Sequence, residues 1–365
     1  MRNLLAFALT LALAAGASAQ NTASTSQSGS NNDADVQQVG SSTAVVDQDG
    51  VGNEAEIRQN GADNVTTIDQ DGFSHKGVQT MTSGDRNLVN ITQAGGDASA
   101  ATGGNSLTRV ELSGNDNLVD VTQNGDGQRA FVDIQRAGGG DGNDVDVVQS
   151  GADNQANVDL SGDRNTAAVT QDGSDNTVGA VFGTAGILVD GDDNTARIQQ
   201  IGDDNTTLVV QDGDGNTAIE RMTAGDGNDV TIDQFGDANR AVYEIWGDDN
   251  DIDIDQVTDG NFVFIQGDGT PPGPGGGVDG NTVDLDQLGG NGNSITGYFA
   301  DDSETNSVTI LQDGSGNSVG SGFSAPYGFY VEGDMNTISI TQSGTGHSAT
   351  ASAIGDNNTA TVTQQ

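Results

Sequence analysis

Apolar positions in this chain come in pairs two residues apart, and the pairs return about every eleven residues. Val89 and Ile91 form one pair, Val119 and Val121 another, Ala167 and Val169 a third. In the clean units an amide stands on each side of the pair. With a glycine as position zero, asparagine falls at +3, a small or β-branched residue at +5, Val or Ile at +7, Gln at +9 and the next glycine at +11. Gly84, Asn87, Val89, Ile91, Gln93, Gly95 fit this spacing, as do Gly114, Asn117, Val119, Val121, Gln123, Gly125. The series runs from Gly29 to Gln364 and comprises about 27 units, some of them stretched or degenerate.

The four marked positions are all odd. In an extended chain, residues two apart share a face, so Asn, the apolar pair and Gln point one way, and the residues between them point out. A helix would scatter the same set around its circumference. The remaining residues, such as Ile201-Gly202-Asp203-Asp204, carry turn chemistry. Each unit therefore predicts a strand of about seven residues and a turn.

One unit cannot fold alone. Burying two small apolar side chains gains about 1–2 kcal/mol each, whereas ordering each residue costs about 1–2 kcal/mol of backbone entropy. Stacking supplies the rest, because coils above and below satisfy the backbone N–H and C=O groups. The expected fold is all-β: a parallel β-solenoid of two-strand coils, about 22 residues per coil, in about 13 coils and a rod of roughly 60 Å. Stacked Asn and Gln then form hydrogen-bonded ladders that fix register. The rungs singled out are Asn87, Gln93, Asn117, Gln123, Asn165, Gln171, Asn194, Gln200, Asn205, Gln211, Asn336, Gln342, Asn358 and Gln364. Clean Asn…Gln units alternate with looser ones, and that alternation slips between Gly191 and Gly225.

Order matters here because composition alone points to disorder. The net charge is −43, with 55 glycines and few aromatics. Eleven Lys and Arg argue against a nucleic-acid partner. There is no cysteine, hence no disulfide framework. The start reads as a secretory signal: Arg2, an apolar run from Leu4 to Ala15, and the cleavage triplet Ala17-Ser18-Ala19. The expected division is a signal peptide over 1–19, a short flexible lead-in over 20–28, and one repeat domain over 29–365 with a Pro/Gly-rich loop at 267–280. Nothing in the repeats is apolar enough to span a membrane.

The stretches "QNGADNVTTIDQDG" (59–72) and "QDGSDNTV" (171–178) resemble the curlin repeat of bacterial curli subunits. The resemblance extends over nearly the whole repeat region. It implies a secreted subunit that polymerises into extracellular, pilus-like amyloid fibres for adhesion and biofilm matrix. It also implies partners in outer-membrane secretion and nucleation machinery. The chain departs from the family in its larger number of units, its acidity, and residues such as Leu160 where a repeat ends.

No arrangement of His, Ser and Asp marks a catalytic site, so an enzyme is not expected. His75 and His347 both stand at +3, in place of Asn. "GGDGNDVDV" (139–147) matches the nonapeptide of calcium-binding β-rolls and "AGDGNDVTI" (224–232) matches it in part. The alternative is thus a secreted calcium-binding β-roll, surface or adhesin module, with Asp141, Asp144, Asp226 and Asp229 as candidate ligands and calcium as its one cofactor. Against it, the repeat is eleven rather than nine. Turn acids such as Asp192, Asp193, Asp203, Asp204, Asp248 and Asp249 are expected to repel their neighbours along the stack. Aromatics crowd into the second half, with Phe262 and Phe264 at outward positions.

Overall fold

The computed structural model describes residues 20–95, 106–134, 140–180, 184–222, 225–267, 277–300, 303–320 and 327–365. The expected signal peptide and most of the Pro/Gly-rich loop lie outside them. The fold is a parallel β-solenoid of about 13 turns with about 23 residues per turn. Stretched units account for the extra residue over the expected 22, since coil-to-coil spacings range from 21 to 32 residues. Residues 22–30, most of them expected in a flexible lead-in, form the strand Thr22–Ser30. It pairs in parallel with Asp33–Val51.

Two walls face each other across the core. Wall I takes the strands that follow one edge of turns (edge I), for example Leu118–Asp126, Asp144–Ala152, Thr166–Ser174 and Thr195–Ile201. Wall II takes those that follow the other edge (edge II), for example Thr206–Asp212, Asp229–Phe235, Asp251–Val257 and Thr282–Gly289. Repeat positions are in register: Gln123 pairs with Gln149, Gln149 with Gln171, and Gly125 with Gly151. The stack keeps its register across the longest spacings. Wall II breaks between Thr177–Ala180 and Ile187–Asp190, yet both pieces pair with Thr206–Asp212.

The two apolar positions form one continuous core, with Val145, Val147, Ile252 and Ile254 fully buried. Turn geometry explains the glycine and its second follower. A Cβ on Gly61 would lie 1.8 Å from the Gly84 carbonyl oxygen, so Gly61 admits no side chain. Position +2 is left-handed throughout, with φ of 59° at Asp193 and Asp204 and 68° at Gly215. Asp, Asn and Gly tolerate that conformation best.

Candidate functional site

The inward amides make two kinds of ladder. Glutamines bond side chain to side chain. On wall I, Gln48 Nε2 donates to Gln70 Oε1, and the chain of bonds continues through Gln93, Gln123, Gln149, Gln171 and Gln200 at 2.8–2.9 Å. Each Nε2 also donates across the core to a backbone carbonyl, as Gln149 does to Arg129 and Gln171 to Gln155. Every polar atom of such a rung is satisfied, which is why a fully buried amide is tolerated.

Asparagines pin the turns instead. Asn87 Oδ1 accepts the backbone N–H of Asn117, while Asn87 Nδ2 donates to the Gly114 carbonyl of the next coil. Asn165 and Asn194 repeat this pattern, as do Asn117 and Asn205. Asn336 Oδ1 accepts from the Asn358 backbone and side chain. His75 serves the same place: its N–H donates to Asn53 Oδ1 and its Nε2 lies 3.0 Å from the Gly95 carbonyl oxygen. At His347 the backbone N–H donates to Asn317 Oδ1.

The glutamine ladder changes walls part-way along the rod. Gln200 Nε2 ends the wall I series on the Thr207 hydroxyl at 2.9 Å. Eleven residues later, Gln211 Nε2 opens a wall II series to Gln234, Gln256, Gln287, Gln312, Gln342 and Gln364. Gln211 Oε1 has no partner, because Val189 occupies the rung below it. The slip in the repeat between Gly191 and Gly225 is this crossover.

A third ladder was not read from the sequence. The aspartate at +1 accepts the backbone N–H of the corresponding residue one coil earlier. On edge I the series runs Asp141 to Asp163, Asp192, Asp214, Asp237 and Asp259 at 2.8–2.9 Å. On edge II, Asp203, Asp226, Asp248 and Asp279 do the same. The signal was present in the unbroken run of Asp at +1 from Asp192 to Asp279 against the variety at +2. These turn acids are therefore engaged acceptors, each in a charge-assisted bond.

The calcium candidates do not converge. Asp141 lies on edge I, where its Oδ1 accepts from the Asn115 backbone, and Asp226 lies on edge II, accepting from Asp203. Asp144 and Asp229 face outward on opposite walls. Among the described residues no three His, Asp or Glu side chains gather as a metal site.

The curlin-associated repeat matches residues 41–72, 114–151, 140–173, 191–219, 225–257 and 333–365, about half of the chain. The chain belongs to the curlin-associated repeat family. A comparison with curated proteins found no match. The curlin-repeat ladders also run through 258–332, where the match lapses: Gln287 bonds Gln312, and Asn293 accepts from Asn317. Family and fold together point to a structural protein.

Just past the crossover, the curlin-repeat solenoid carries a polar residue at +7 of wall I. Glu220 takes that apolar position and stacks in register between Ile198 and Tyr243. Burial pushes its carboxyl from 4.5 up to about 8, and the Thr207 hydroxyl is the single opposing influence. The Tyr243 phenol is raised well above its ordinary value, by burial first and by Glu220 second. Neither Glu220 oxygen nor the Tyr243 hydroxyl has a hydrogen-bond partner.

Proposed function

We propose that this chain is a secreted structural subunit that stacks end to end into extracellular amyloid-like fibres for adhesion and biofilm matrix. The observation that carries the reading is the ladder set. Each coil offers the coil above it the same amide, glycine and aspartate partners that it receives from below, so another chain's coil can take the next place. At both ends of the described residues the core is half covered. Ala34, Val36, Ala360 and Val362 are only partly buried where their inner counterparts are sealed. Exposed strand edges with unsatisfied ladders favour templated addition.

Export by a signal over 1–19, outer-membrane secretion and assisted nucleation belong to this reading through the family. Among the described residues no helix is long and apolar enough to cross a membrane. The role is one of assembly rather than catalysis. The decisive experiment follows dye binding and fibre diffraction of purified residues 20–365, with and without preformed seeds. Seeding that shortens the lag, with a reflection near 4.8 Å along the fibre, supports the reading. A chain that stays monomeric with and without seeds overturns it.

A further inference from the structure

The outer faces of the two walls differ in charge within the same few coils. On wall II, three adjacent strands carry seven outward aspartates: Asp229 and Asp233, then Asp251, Asp253 and Asp255, then Asp284 and Asp286. In-register pairing sets Asp229 beside Asp251, Asp253 beside Asp284, and Asp255 between Asp233 and Asp286. Wall I carries the opposite sign. Arg197, Arg221 and Arg240 are exposed on three adjacent strands, Thr195–Ile201, Thr217–Met222 and Arg240–Ile245. Glu244 is the one outward carboxylate on those strands. Among the described residues no carboxylate forms an ion pair with these three arginines.

The chain has eleven Lys and Arg against 54 Asp and Glu, so three unpaired arginines on neighbouring strands are a concentrated feature. The arginine patch and the aspartate patch each span three coils, and the second is displaced one coil along the axis. We infer that a second copy of this chain lies alongside the first with its axis parallel, its wall II on the first copy's wall I, shifted by one coil. A one-coil shift is about 4.8 Å.

That register makes specific pairs. Wall I runs from edge I to edge II, and wall II runs back. Arg221, at +8 on its strand, then faces Asp251, at +4 of the next coil's wall II strand. Arg240, at +4, faces Asp286, at +8. Arg197 faces Thr231, between Asp229 and Asp233. The flanks are apolar in the same register: Phe262 meets Leu311 above the patch, and Ala168 meets Leu208 below it. Arg240 stays oriented by its own neighbour, with its guanidinium 5.8 Å from the Phe262 ring centre. Because the two faces are different, the contact is heterologous and propagates into a ribbon of side-by-side rods.

This pairing deepens the fibre reading and rests on it only for one of its two readouts. The first readout needs no fibre. The chain has no native cysteine, so one batch carrying Ile219→Cys and another carrying Asp253→Cys can be mixed and treated with a short bis-maleimide. These positions oppose each other at the centre of the proposed contact, and Thr122→Cys, far along wall I, replaces Ile219→Cys in the control. A cross-linked dimer well above control is expected; equal yields overturn the proposal.

The second readout is bundle width by electron microscopy. Arg221→Glu with Arg240→Glu should weaken lateral association roughly tenfold or more while leaving elongation unchanged. Adding Asp251→Arg and Asp286→Arg in the same chain should restore the width. Native width in the arginine variant, or no recovery in the fourfold variant, overturns the pairing. If the arginine face instead holds an anionic polysaccharide, cross-linking stays at control level and the proposal fails. If no variant forms fibres, the fibre reading fails and the cross-link alone decides this one.

Discussion

Glu220 lies directly beside Tyr243 in the parallel ladder, both side chains pointing into the core and both without a hydrogen-bond partner. The inward residues opposite are Thr207, Val209 and Gln211 on one strand, and Val230, Ile232 and Gln234 on the next. Among the described residues Tyr243 is thus the only other ionisable group facing Glu220. The carboxyl must be protonated to remain there.

The sign of the pH effect follows. In the unfolded chain the carboxyl titrates near 4.5, and in the folded chain near 8. Below pH 4.5 both states are protonated and stability is unaffected. Between 4.5 and 8 the folded state alone holds the proton, so stability falls as pH rises, by up to about 5 kcal/mol across that window. Above 8 the loss is complete. Glu220→Gln should flatten that part of the profile, and Glu220→Val should flatten it while raising stability. Urea midpoints of soluble chain at pH 5 and pH 9 test this. An identical pH profile in wild type and Glu220→Gln would falsify the buried-proton argument.

Ladder rungs should differ in weight according to their place. Gln171→Ala removes a rung between Gln149 and Gln200, leaving a buried donor and a buried acceptor unpaired, at about 1–3 kcal/mol each. Gln200→Ala disturbs only one neighbouring glutamine, because its own amide ends on Thr207. Thr195→Ala changes an outward side chain and should be near neutral. Thermal midpoints and assembly lag times should rank the three in that order of damage. Equal effects for Gln171→Ala and Thr195→Ala would contradict the inward assignment.

The period-eleven pattern made most of this legible. Odd spacing of Asn87, Val89, Ile91 and Gln93 identifies a shared face without any coordinates, and the strand, the walls and the glutamine ladder follow from it. Three things were hidden for physical reasons. Turn acids such as Asp192 look solvated in one dimension, since their acceptor role depends on a backbone N–H 29 residues away, at Asp163. The crossover at Gln200 and Gln211 keeps the local motif intact and alters only which wall carries it. Glu220 reads as one more degenerate position until its neighbours in space are known.

Turns offer a test of conformation against contact. Ala238 and Met335 adopt φ of 57° and 56° at +2, where neither residue is favoured. Ala238→Gly should stabilise the chain by about 1 kcal/mol, since a left-handed L-residue costs roughly 1–2 kcal/mol and glycine loses some of that gain through its freer unfolded state. Gly61→Ala should be severe instead, because its Cβ would strike the Gly84 carbonyl at 1.8 Å. Calorimetry on the two variants should show shifts of opposite sign.

Acid should speed assembly. The groups that repel lie chiefly on the wall faces. Burial, then Asp255, Asp284, Asp233 and Asp286 in turn, push the Asp253 carboxyl up to about 6, and Asp233, Asp255 and Asp286 are raised by similar causes. A carboxyl raised in the folded state holds its proton more tightly there than in the unfolded chain. Stability therefore rises as pH falls from about 6 toward 3.8, and the penalty is greatest above 6. Asp253 is well exposed, so screening holds its share to about 1 kcal/mol or less. Asp253→Asn should accordingly shorten the lag at pH 7 and leave it unchanged at pH 4. The expected assembly rate rises as pH falls through about 6. A lag-time series from pH 4 to pH 8 at constant ionic strength tests it: a flat profile would remove wall-face repulsion as the brake.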